Sequence, residues 1–149
     1  MTNESRGPAA GWFEGRSFFF PIRVYYEDTD FSGVVYHASY LRFMERGRSE
    51  FLRAAGFPHD RLLKSEEPHF WVVRRMKIEF LRPARVDEAL AVRSQVLELG
   101  GARMRLNQAV CRGAEVLASA EVEVCIIGPD GKLRRVPGEM RGKLESYLD

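Results

Sequence analysis

Glu27, Asp28 and Asp30 stand a few residues ahead of Gly33 and His37 in the stretch YYEDTDFSGVVYHASY, residues 25–40. Acids this close together suggest a metal loop, a catalytic site or a solvated turn. From Asp28, D-T-D-F-S-G supplies oxygen ligands and a glycine in the order that opens a calcium loop. The pattern then fails, because Ser39 stands where a bidentate glutamate is needed and a strand-like run precedes the loop where a helix is needed. Zinc fares no better, since His37, His59 and His69 are scattered and lack a close histidine or cysteine partner. No metal site is expected.

Catalysis needs less. A carboxylate in a loop before a helix lies near the unpaired N–H groups of the helix start, which with the helix dipole can stabilise an oxyanion. Such a carboxylate can attack a carbonyl or activate water to do so. An acid loop, a glycine and a helix N-terminus therefore form a workable hydrolytic site for an ester or thioester, and no G-x-S-x-G nucleophile elbow competes with it. The residues alone leave the bland alternative open: Asp28 and Asp30 as turn formers or helix-entry acids.

The elements that must position this loop can be read from periodicity. SFFFPIRVYYE is rich in β-formers and reads as a strand, with Pro21 pointing to an edge position or the strand's beginning. From about His37 to Ala55 the period lengthens. Tyr40, Met44, Gly47, Phe51 and Ala55 form an apolar stripe, widened by Leu41, Phe43 and Leu52, and Gly56 and Pro58 stop the helix. Gly47 in mid-helix implies close packing against it. PHDRLLKSEE reads as a short second helix, and four alternating strands follow, read as a meander, with Arg74 on the apolar face of the first. PGEMRGKLESYL reads as a C-terminal helix. One apolar helix facing one antiparallel sheet is a two-layer α+β fold. Residues 1–16 are expected to be a flexible tail and 17–149 a single domain.

Composition limits the function classes. The 149 residues carry 23 basic and 21 acidic side chains, a net charge of +2, which argues against bulk electrostatic binding of nucleic acid. Cys111 and Cys125 make no disulfide framework and read as free thiols. No apolar run reaches the roughly 20 residues of a membrane span. The opening MTNESRGPAAGW lacks the features of a secretory signal, so a cytoplasmic location is expected.

The stretch YYEDTDFSGVVYHASYLRFMERGRSEFLR, with its D-x-D-x-x-G-x-V-Y-H-x-x-Y core from Asp28 to Tyr40, resembles the signature of the hot-dog-fold thioesterases of the 4-hydroxybenzoyl-CoA thioesterase type. The likeness is greatest to the Tol-Pal-associated acyl-CoA thioesterases. It continues through FWVVRRMKIEFLRPARVDEAL and, more weakly, AEVEVCI, covering roughly Phe20 to Ile127. The resemblance implies a long helix wrapped by a curled antiparallel sheet, and homodimers or homotetramers with active sites at the dimer interface. It implies Asp30 as the catalytic acid and the His37 N–H as polariser of the thioester carbonyl, with the His37 side chain orienting substrate. Tyr26, Gly33, Val35 and Tyr36 would line the loop. No cofactor is implied.

Phe31 and Ser32 depart from the small residues that relatives carry between the acid and the glycine, and Phe31 is expected to narrow or shield the acyl pocket. Arg74, Arg75 and Lys77, in a basic run with Arg82 and Arg85, would suit the phosphates of coenzyme A or an acidic acyl carrier protein. Glu45 is a weaker candidate, because another branch of the superfamily places its carboxylate on the long helix. The reading that follows is hydrolysis of an acyl-CoA or acyl-carrier-protein thioester. The alternatives are an interaction protein binding acyl carrier protein or envelope machinery, and a hydratase sharing the fold.

Overall fold

The computed structural model describes residue 8 and residues 10–148. Six strands make one antiparallel sheet in the order β1-β2-β4-β5-β6-β3. The strands are β1 (Trp12–Glu14), β2 (Ser17–Arg23), β3 (Phe70–Phe80), β4 (Ala89–Leu99), β5 (Arg103–Arg112) and β6 (Glu115–Ile127). The helices are α1 (His37–Ala54), α2 (His59–Leu63) and α3 (Gly138–Glu145). This is the expected α+β layering. The sheet is open, with β1 and β3 at its edges.

The alternation read from β4, β5 and β6 places Leu90, Val92, Val96, Met104, Leu106, Val110, Val122, Val124 and Ile126 in the core. Tyr40, Phe43, Met44, Gly47, Phe51 and Leu52 of α1 are buried against them. Leu41 does not widen the buried stripe; it is exposed on the flank of the helix.

Gly47 is where the helix comes closest to the sheet. A methyl group added there would lie 2.6 Å from Val92 Cγ1 and 3.1 Å from its Cβ. Beside this contact Gln108, fully buried, donates from Nε2 to Met44 O and to Ser94 Oγ, each at 2.9 Å. Arg48 Nη1 donates to Gln108 Oε1 at 2.9 Å. Every polar atom of the buried amide thus has a partner, and an unpaired one would be destabilising.

Three expectations change. The four later strands are not a meander: β4, β5 and β6 follow one another, but β3 lies beyond β6. The eight residues between Phe80 and Ala89, with Pro83 among them, are too long for a hairpin turn. Instead Leu81 and Arg82 donate their N–H groups to Leu117 O, and Asp87 donates to Val24 O, so the segment crosses the end of α1.

Second, Arg74 is not on the apolar face. The β3–β6 register shifts between Val73 and Arg75, a bulge that leaves Arg74 outside the alternation. Trp71 and Val73 before the bulge, and Met76, Ile78 and Phe80 after it, face the core residues of β6, while Arg74 pairs with Glu123 at 2.6 Å.

Third, the tail expected over residues 1–16 is ordered at its inner end. Trp12–Glu14 pair with β2 through a tight turn at Gly15 and Arg16. Trp12 stacks on Phe19, and Phe13 packs on Phe18 and Tyr147. Aromatic ring contacts, made by side chains that stay largely exposed, override the polar composition of the segment. Residues 1–7 and 9 lie outside the described residues.

The Gly47 contact generates a stability prediction. At an open helix position Gly→Ala stabilises by about 1 kcal/mol. Here Gly47→Ala is expected to destabilise by about 1–2 kcal/mol, because overpacking against Val92 outweighs helix propensity. A denaturant midpoint no lower than wild type would show that the sheet gives way.

Candidate active site

The acid loop lies between β2 and α1 and doubles back on itself. Tyr26–Asp28 form one turn of 3-10 helix. Thr29 then bridges to Val35, the Asp30 N–H donates to Val34 O at 2.9 Å, and the Tyr36 N–H donates to Asp28 O at 3.0 Å. The reversal depends on Gly33, whose φ of +80° is a left-handed conformation unfavourable to other residues. α1 begins one residue beyond Tyr36. Tyr36 provides no side-chain cap; the Ser39 N–H turns back to Tyr36 O at 2.8 Å, and the His37 and Ala38 amides before it have no helical or capping partner among the described residues.

The three acids have different roles. Asp28 is 4% exposed and its Oδ2 accepts the Tyr25 N–H at 2.8 Å, so it builds the turn. Glu27 is exposed on the 3-10 turn. Asp30 is also exposed, and its Oδ1 accepts both the Ser32 N–H at 2.8 Å and the Ser32 hydroxyl at 2.5 Å. The Ser32 hydroxyl, then the Ser32 amide, holds the Asp30 carboxyl below the usual carboxylate range. Asp30 is thus an ionised carboxylate oriented through its Oδ1 by Ser32.

Several surrounding residues hold this arrangement in place. The Val35 N–H donates to Ala84 O and the Val86 N–H to Gly33 O, so the β3–β4 connection braces the loop. Tyr40, buried on α1, accepts the Ala84 N–H on its hydroxyl at 3.0 Å. Burial raises the Tyr40 pKa, so it stays a neutral phenol. The His37 ring packs on Tyr36 and lies edge-on to Phe80, with centroids 4.3 and 6.1 Å apart.

Of the residues singled out from sequence, Asp30, His37, Gly33, Tyr26, Phe31 and Tyr36 are together in this loop, and Val35 is buried beneath it. Phe31 neither narrows nor shields a pocket within the chain. It is 102% exposed, because the turn that aims Asp30 turns its neighbour outward. Arg74, Arg75 and Lys77 are not brought to the loop. Arg74 is paired with Glu123, and Arg75 and Lys77 stand opposite Glu123 and Glu121 on the sheet face turned away from α1. Glu45 lies two turns along α1 from His37, where its Oε1 accepts the Ser49 hydroxyl at 2.9 Å.

Sequence reasoning missed the role of Ser32 and did not single Arg85 out from its basic run. Ser32 was an unexplained departure but holds the acid; the signal was the Asp-x-Ser spacing of a side-chain-closed turn. Arg85, bridged through its backbone to Val34, is the cation nearest the loop by chain pairing, and nothing in the sequence distinguished it from the other arginines. Among the described residues there is no cluster of three or more potential metal-ligating side chains, and no helix is long and apolar enough to cross a membrane.

Residues 32–128 match the thioesterase superfamily model, and the chain belongs to that family, with its hot-dog fold. It is 42% identical over 119 residues to the acyl-CoA thioesterase YbgC of Haemophilus influenzae, covering 80% of this chain and 86% of that one. It is 41% identical over 113 residues to the acyl-CoA thioester hydrolase YbgC of Escherichia coli O6:H1, covering 75% and 83%. The crystal structure of a probable thioesterase from Bartonella henselae superposes with a TM-score of 0.78 at 49% identity, covering 80% of this chain and 98% of that one.

The Ser32 hydrogen bonds make a pH prediction. A lowered Asp30 pKa keeps the carboxylate charged as pH falls, so activity that needs the charged form survives to lower pH than with an ordinary aspartate. Ser32→Ala removes the hydroxyl donor and is expected to move the acid limb of the kcat/KM profile to higher pH. An unmoved limb would mean that this hydrogen bond does not tune the acid.

Proposed function

We propose that the protein hydrolyses acyl-CoA thioesters, with Asp30 as the nucleophile and the His37 N–H as the donor to the thioester oxygen. The observation that carries this reading is the exposed, ionised Asp30 carboxylate in the same reversed loop as an uncapped helix start. The printed activities of the YbgC relatives support the substrate class.

In the reaction, the carbonyl oxygen accepts a hydrogen bond from the helix amide, where the dipole favours developing negative charge. Asp30 Oδ2 adds to the carbonyl carbon. The carbon–sulfur bond breaks, the thiolate leaves and takes a proton from solvent, and an acyl–aspartyl anhydride remains. Water then hydrolyses the anhydride, releasing the carboxylic acid and restoring Asp30. Both routes open to Asp30, attack on the carbonyl or activation of water, use the charged carboxylate that the Ser32 hydrogen bonds favour. Trapping of the acyl group on Asp30 separates them.

Asp30→Asn is expected to lower kcat by about 10²–10⁴-fold or more, with the exposed position leaving the fold intact. Quenched single turnovers of the wild type should carry the acyl group on the peptide containing Asp30. Full turnover by the variant, measured by thiol release, would overturn the assignment.

The reading includes a homodimer. β3 is an eleven-residue edge strand bonded on one side only, flanked by exposed Val73, Phe80 and Leu81. Sedimentation at micromolar concentration is expected to give twice the chain mass; a monomer that retains full activity would overturn this part.

A further inference from the structure

The Asp30 loop is not held by its own turn alone. It leans on the connection between β3 and β4, and that connection carries a strained residue. Asp87 has a φ of +69°, and among the described residues it is the one non-glycine in the left-handed region. A residue with a Cβ stays there only where its surroundings hold it. Three hydrogen bonds do so. The Asp87 N–H donates to Val24 O at 2.8 Å, Arg23 Nη1 donates to Asp87 O at 2.8 Å, and the Val24 N–H donates to Glu88 O at 2.9 Å.

The Glu88 side chain closes the same turn. Its Oε1 accepts the Arg85 N–H at 2.6 Å, and both its oxygens accept from Arg112 Nη1 at 2.9 Å. That Nη1 also donates to Pro83 O at 3.3 Å. Arg112 is the last residue of β5, and its Nε and Nη2 donate to Glu115 Oε1, at the start of β6, at 3.1 and 2.5 Å. One guanidinium thus ties both ends of segment 83–88 to the β5–β6 turn. From that segment the path to the site is continuous. The Val35 N–H donates to Ala84 O, the Val86 N–H donates to Gly33 O, and Arg85 is bridged to Val34, whose carbonyl accepts the Asp30 N–H.

We propose that Arg112 and Glu88 are positioning residues for hydrolysis at Asp30: they fix segment 83–88, and through it the placement of the Asp30 carboxylate relative to the His37 amide. The proposal rests on the thioester-hydrolysis reading of the loop. Neither side chain belongs to the loop, and both act through the backbone of segment 83–88. Their side chains are 34% and 26% exposed, so water screens the pair and it contributes little to stability. Its effect is on geometry. A planar guanidinium with donors in fixed directions meets Pro83, Glu88 and Glu115 at once, which a lysine ammonium cannot do. Rate is far more sensitive to such placement than stability is, since an error of about 1 Å can lower it about a hundredfold.

The test uses two mild variants of the full chain. Glu88→Gln keeps an oxygen for the Arg85 N–H and loses the charge that holds Arg112. Arg112→Lys keeps the charge and loses the directed donors. Each is expected to keep a thermal midpoint near that of wild type, and to lower kcat for acyl-CoA hydrolysis by about tenfold or more with KM changed by less than about twofold. In an Asp30→Asn background the same substitutions are expected to lower kcat no further, because no carboxylate is left to position. Hydrogen exchange reads the cause without turnover: the Val35 and Val86 amides should exchange faster in both variants, while those in the middle of β5 stay protected. A lowered midpoint with kcat intact, a kcat loss that adds in full to that of Asp30→Asn, or unchanged exchange at Val35 and Val86 would each overturn the proposal. Full turnover by Asp30→Asn itself would instead remove the hydrolysis reading, and faster exchange at Val35 and Val86 would still support the tie from Arg112 to the loop.

Discussion

The close seat of α1 on the sheet is the contact on which the rest of the molecule depends. At Gly47 the helix backbone meets Val92, and a side chain there would separate the two layers. The buried Gln108 amide then permits only one rotation and one axial position of the helix. It must reach Met44 O with its nitrogen and Arg48 with its oxygen, while also meeting Ser94. Dispersion and hydrophobic burial would tolerate several helix settings; paired buried polar groups do not.

What happens at the two ends of α1 follows from that seat. At the N-terminal end, the first amides of the helix emerge beside the reversed loop, and Tyr40 anchors the crossing segment that braces it. Toward the C-terminal end, β3 leaves an opening beside Trp71 rather than closing onto the helix. The bulge at Arg74 shifts the alternation of β3, so that Val73 and Met76 both line a groove between α1 and β3 instead of falling on opposite faces. The Asp30 loop at one end and a polar-walled cavity toward the other flank one helix, α1.

The charged surface has a more modest role. Arg105 pairs with Glu98 and Glu121, and Arg112 with Glu88 and Glu115. Arg82 also pairs with Glu115. Such pairs on a solvated sheet contribute little stability each. They do change the reading of the basic run, because several arginines that look unopposed in the chain order meet acids from a neighbouring strand.

Much of the local structure was already legible in the chain. The stripe of α1, the alternation of β4 to β6, the special character of Gly47 and the loop acids ahead of a helix are periodic or short-range features, set by neighbours within a few residues. The opening stretch also resembled the family to which the chain belongs. Pairing between distant segments was not legible. β3 joins β6 because an eight-residue crossing separates it from β4, and the Arg74 bulge exists only opposite Glu123. Ser32 bonding to Asp30, Phe31 facing solvent and Trp71 lacking an acceptor among the described residues likewise depend on which backbone surrounds each side chain. The sequence by itself determined which residues could do chemistry and which helix would present them. The tertiary structure decided which acid is exposed and which is buried, because solvent exposure and hydrogen-bond partners arise only when separated segments pack together.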